Sequence, residues 1–178
     1  MVLTLNGAEI GGRSSFIDVD SLQEIFKRLQ PINRVVCEFC LYSGFRIDDV
    51  LSMHTADIVR AVDNNYWLCL NERKTGKSRS VRINKEIVGR LLSISGTVFV
   101  FECNRDIYKH RCRQTVYRDF KKAAADVLGA DTSASVHSLR KCYAVNLFRE
   151  TGDLFKVQRD MNHSSIGTTA LYAMADKL

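Results

Sequence analysis

The chain has 178 residues, 46% of them hydrophobic, which suits one domain with a packed core and excludes a disordered polymer. Its formal charge of +6 favours a polyanionic partner. No run of 18 apolar residues occurs, so no membrane span is expected. The first residues lack the basic segment and long apolar stretch of a secretory leader, so the expected location is cytoplasmic.

Residues 1–19 show little periodicity and contain Gly7, Gly11 and Gly12, which reads as a tail or linker ahead of a domain over 20–178. Asp20 or Ser21 then fits a helix N-cap, and Ser21-x-x-Glu24 fits a capping box. Leu22, Ile25, Phe26 and Leu29 recur at helical spacing until Pro31 breaks the pattern. A second helix is predicted over 32–42, ending near Gly44, and a short third from about Arg46 through Leu51. Residues 58–62, 66–70 and 79–83 read as three strands of a small antiparallel meander, with turns at 63–65 and 75–76.

Helices resume at 85–92. The apolar run 97–101 could be a strand, and 113–128 is a helix with Val116, Phe120, Ala124 and Val127 on one face. Three more helices are predicted at 137–149, 153–162 and 164–172, with a break at Thr151-Gly152-Asp153. The fold class is therefore mainly α with a small antiparallel β-sheet (α+β). Cys37 and Cys40 have C-x-x-C spacing but lie within an apolar helical pattern. Cys103 and Cys112 are too loosely spaced to complete a zinc site, so the six cysteines read as reduced core thiols and no metal is expected.

The last third of the chain carries the chemistry. His137-Ser138-Leu139-Arg140, His163 and Tyr172 fall on successive short helices. Arginine can grip a phosphate with two parallel hydrogen bonds, histidine can move a proton near neutral pH, and tyrosine can act as a covalent nucleophile. Upstream, Arg46 stands just past Gly44, and Lys74 stands at a turn containing Gly76. The set suits attack on a phosphodiester.

With Gly-x-Arg, a hairpin lysine, His-x-x-Arg, a second histidine and a tyrosine in this order, the chain resembles the catalytic domain of the tyrosine recombinases, also called the phage integrase family. The resemblance runs from about Leu22 to Tyr172. It implies that Tyr172 attacks the scissile phosphate, giving a 3′-phosphotyrosyl link and a free 5′-hydroxyl, with no metal or cofactor. Arg46 and Arg140 would clamp the phosphate, and Lys74, with Lys77 as its rival, would protonate the leaving oxygen. His137 would bond the phosphate or take the tyrosine proton, and His163 would donate to a phosphate oxygen. Asp49, where the family carries an acidic residue, would fix Arg46 or orient His137. Asn162 stands where the family usually has glycine.

Further DNA contacts are expected from Lys77, Arg79, Arg111, Arg113, Arg118 and Lys141. A basic cluster of Lys109, His110, Arg111, Arg113, Arg118, Lys121 and Lys122 would track the backbone. The implied partners are double-stranded DNA and copies of the same chain, as a tetramer on paired sites. Family members usually carry a helical core-binding domain before this region and a docking helix after the tyrosine. Here about 20 residues precede the first helix and six follow Tyr172, so the expectation is a catalytic domain without a core-binding domain. Other readings are a type IB topoisomerase-like nicking-closing enzyme and a DNA-binding module of the same fold without turnover.

Overall fold

The computed structural model describes residues 14–177. In chain order the elements are α1 (Val19–Arg28), α2 (Pro31–Ser43), α3 (Ile47–Leu51), α4 (Thr55–Asp63), β1 (Trp67–Asn71), β2 (Ser78–Arg82) and α5 (Lys85–Ile94). They continue with β3 (Glu102–Cys103), β4 (Asp106–His110), α6 (Arg113–Leu128), α7 (Val136–Thr151), α8 (Leu154–Asp160) and α9 (Ile166–Ala173). The mainly helical class with small antiparallel sheets holds.

The N-terminal boundary shifts. Residues 1–13 of the expected tail, including its three glycines, lie outside the described residues. Ile17, however, is buried in the core, and the Cys142 thiol donates to its carbonyl at 3.3 Å. The cap of α1 is Asp18 rather than Asp20 or Ser21, its carboxylate accepting the Ser21 N–H at 2.9 Å. Pro31 opens α2 at the first helical position, where a missing N–H costs nothing.

The expected strand at 58–62 is instead part of α4. Its β-branched residues suggest a strand, but Asp57 accepts the His54 N–H at 2.8 Å and closes the first turn. Ile58 and Ala61, three apart, face the core while Val59 and Val62 stay exposed. The meander is therefore a two-stranded hairpin, Trp67 opposite Arg82 and Asn71 opposite Ser78, with Lys74 in its turn as expected. Residues 97–101 form no strand beyond one bridge between His54 and Phe99. A second hairpin, β3 with β4, follows instead. Its two-residue first strand and bulge leave too little alternation for a sequence signal.

One large core runs from Ile17 on the N-terminal side to Leu139 and Cys142 on α7. A small second cluster holds Ala144, Val157 and Met161, with Tyr143, Leu147, Phe148 and Tyr172 packed on it. Cys37, Cys40 and Cys142 are buried, and the pKa of each thiol is raised, chiefly by loss of water. Cys69 and Cys112 are exposed and Cys103 half-buried, so the core reading fails for these three. Among the described residues no helix is long and apolar enough to cross a membrane, and no group of three His, Cys, Asp or Glu could hold a metal ion.

Candidate active site

Helix α2 stops at Gly44, whose φ of 64° is left-handed and natural to glycine. A methyl group there would also overlap the Tyr143 ring. Two residues on, Arg46 caps α3 and points at Glu72, its Nη1 2.8 Å from Glu72 Oε2. Arg140 enters from α7 and is almost wholly buried. Its Nη1 donates to the Gly44 carbonyl and lies 3.9 Å from Glu72 Oε1, and its Nη2 donates to the Met161 carbonyl at 2.5 Å. Both guanidiniums thus converge on one carboxylate. Lost water, then Arg46 and Arg79, bring the Arg140 pKa down to about 10.

Tyr172 reaches this place from α9. Its hydroxyl hydrogen-bonds His137 Nε2, and its ring stands edge-on to both His137 and His163, with centroids 5.6 and 5.0 Å away. The His163 Nδ1 meets Thr169 Oγ1 at 3.2 Å, and the Thr169 hydroxyl donates to the Ser165 carbonyl at 3.1 Å. The Ser165 side chain caps α9. Asn162, just before His163, has φ 51°, the left-handed conformation that glycine and asparagine tolerate best. Asparagine therefore suits this bend, although the family usually has glycine here.

Both imidazoles are held down to about 4. For His137 the causes are the surrounding protein first, then Arg140, Lys141, Arg46 and Lys74; for His163 they are burial, then Arg140 and Arg46. Both rings are thus neutral at pH 7. Lys74 sits exposed on its turn, close enough for its charge to act on His137. The six side chains singled out from sequence come together.

Asp49 does not hydrogen-bond Arg46 or His137. Its Oδ1 accepts the Arg73 N–H at 2.9 Å, at the root of the Lys74 turn, and burial raises its pKa. Glu72, fully buried between the arginines, was invisible in the sequence because no motif marks the residue after a strand. Nearby, Arg79 is buried, stacked 4.5 Å above the Phe45 ring and 5.6 Å from the Tyr143 ring. It donates to the Ser43 carbonyl at 2.6 Å. It is a structural cation, not the expected DNA contact, since charge in a sequence does not reveal burial.

The other basic residues divide. Lys77 and Arg118 are exposed. Arg113 pairs with Asp48 at 3.0 Å on the surface. Arg111 turns inward to Asn33 Oδ1 at 2.7 Å, and Lys121 donates to the Thr132 and Ala134 carbonyls, so neither presents its charge freely. Lys141 donates to the Ser14 carbonyl and lies 5.7 Å from the centroid of the Tyr172 ring.

The profile of the phage integrase family matches residues 15–178. The chain is 30% identical over 166 residues to the probable integrase/recombinase YoeC of Bacillus subtilis (strain 168), covering 89% of this chain and 88% of that protein. The XerH site-specific recombinase bound to a palindromic difH substrate, in a post-cleavage complex, superposes with a TM-score of 0.72 at 18% identity. That match covers 92% of this chain and 50% of that one. A lambda integrase tetramer bound to a Holliday junction gives 0.71 at 20% identity, over 90% of this chain and 48% of that one. The chain thus spans most of YoeC but about half of these two recombinases.

Proposed function

The chain belongs to the phage integrase family, and on that premise we propose that it breaks and rejoins DNA through a covalent link between Tyr172 and a backbone phosphate. The Tyr172 oxygen forms a bond to phosphorus as the bond from phosphorus to the 5′-oxygen breaks. His137, neutral at pH 7 and already bonded to the phenol, accepts its proton. Arg46 and Arg140 meet the charge that grows on the phosphate oxygens. Cations already aimed at that charge need no rearrangement, and one such group supplies about 3 kcal/mol. His163 bonds a phosphate oxygen, and Lys74 protonates the leaving 5′-oxygen. A 5′-hydroxyl then attacks the phosphotyrosine and reverses the sequence, so the bond energy is conserved without an external donor.

The observation that carries this reading is the phenol of Tyr172 resting on His137 beside a buried and a half-buried guanidinium that share one carboxylate. The partner proposed is double-stranded DNA, bound by a tetramer on paired sites, as the lambda integrase tetramer is bound to its junction. A DNA-acting enzyme of this kind would work where the DNA lies, and the location proposed is the cytoplasm. The test is a nicked substrate whose 5′-fragment diffuses away. The wild-type chain, incubated with DNA flanking its own gene, is expected to trap a covalent adduct, and Tyr172→Phe to trap none while still binding. An adduct that persists in Tyr172→Phe overturns the assignment. Exchange between two labelled duplexes distinguishes recombination from nicking and closing.

A further inference from the structure

We propose that Glu72 is a positioning residue that fixes the Lys74 turn against the arginine pair before DNA arrives. The inference rests on Lys74 acting as the general acid. Glu72 touches both parts. Its carboxylate meets Arg46 at 2.8 Å and Arg140 at 3.9 Å, and it accepts the Thr75 hydroxyl at 2.9 Å. Its main chain closes the same turn. The N–H donates to the Lys77 carbonyl at 2.9 Å, and its carbonyl accepts the N–H of Gly76 at 2.8 Å and of Thr75 at 3.3 Å. The turn is therefore tied on both sides of Lys74, by Asp49 at Arg73 and by Glu72 at Thr75, while the lysine itself stays in solvent.

A charge is needed at this spot, not only an acceptor. Arg46, Arg79 and Arg140 bring three cations to one region, and of the two buried carboxylates near them, Asp49 and Glu72, it is Glu72 that meets Arg46 and Arg140 directly. Like charges repel strongly where water is excluded. With a neutral side chain at position 72 the turn would lose its charged link to the arginine pair, while Arg140 keeps its two backbone carbonyls. A general acid depends on placement within hydrogen-bond reach of the atom it protonates, so a loosened turn slows proton delivery while leaving DNA affinity largely intact.

The experiment uses single-turnover cleavage of two nicked DNA substrates, one with the natural 5′-oxygen and one with sulfur at that bridging position. A thiolate leaves without a proton, so the sulfur substrate needs no general acid. Lys74→Ala is expected to slow cleavage of the oxygen substrate about 100-fold and to cleave the sulfur substrate at close to the wild-type rate. Glu72→Gln is expected to fall about 30-fold and Thr75→Val about 5-fold on oxygen, each recovering most of the loss on sulfur. Both should bind DNA within about 3-fold of wild type, and Thr75→Val, an exposed turn change, should melt like wild type. Equal slowing of Glu72→Gln and Thr75→Val on both substrates, or no slowing, overturns the inference while the Lys74 assignment stands. If Lys74→Ala is not rescued by sulfur, the general-acid reading fails, and the inference falls with it.

Discussion

The two halves of the site are built differently. On the clamp side, Arg140 is buried and bonded to two backbone carbonyls, Glu72 is fully buried, and the segment under them belongs to the large core. On the nucleophile side, Tyr172 rides on an eight-residue helix after a seven-residue one, packed on three buried residues. The arginine pair is tied to the bulk of the fold, whereas the proposed nucleophile sits on short elements that cost less to displace. Local opening free energies differ across a protein in this way. A preorganised anion clamp also avoids reorganisation at the moment of reaction.

The comparison breaks first at Arg140. Arg140→Lys cannot keep both carbonyl bonds and the contact with Glu72, because an ammonium lacks the planar fork. The expected loss is at least about 100-fold in cleavage and about 3 kcal/mol in stability, read by single-turnover adduct formation and urea unfolding. Gly44→Ala comes next. It forces a left-handed backbone onto alanine and drives its methyl into Tyr143, so about 2 kcal/mol should be lost in the same unfolding measurement. An unchanged midpoint would show that the clamp side yields as easily as the nucleophile side.

Acid sharpens the contrast. Both histidines have folded-state pKa values of about 4 against an ordinary 6.5. Between these values the unfolded chain holds more protons, so stability is full above about pH 6.5 and drains as the pH falls toward 4. The thermal midpoint should drop over that window, and the His137→Gln/His163→Gln double variant should show a shallower drop. The smallest expected effect is at the surface pair between Arg149 and Asp176, 2.6 Å apart, which ties α7 to the segment after α9. Arg149→Ala should cost no more than about 1 kcal/mol globally. It should nevertheless speed amide exchange in α9 while leaving α2 and α3 unchanged.

The sequence made the reactive groups legible and their supports much less so. His137 and Arg140 lie one helical turn apart on α7, a spacing any reader of the chain can see. Lys74 at a glycine-containing turn was equally plain. Asn162 departs from the family's usual glycine, and only the backbone angle shows the left-handed bend that asparagine tolerates. Glu72 and Arg79 were missed or misplaced for one reason: burial is decided by what the rest of the chain lays over a residue. In α4, β-branched composition pointed to a strand, and a carboxylate closing the first turn outweighed it.

The arrangement of Thr169 carries a consequence for acid–base balance. Its single hydroxyl hydrogen is committed to the Ser165 carbonyl, so toward His163 it can only accept. With that hydrogen on the carbonyl, the neutral ring carries its own hydrogen on Nδ1 and a bare lone pair on Nε2. A phosphate oxygen cannot bond to that lone pair until the ring takes up a proton. If DNA docks onto His163 as proposed, binding draws a hydrogen ion from solution, and the affinity for DNA is tied to the acidity of its surroundings.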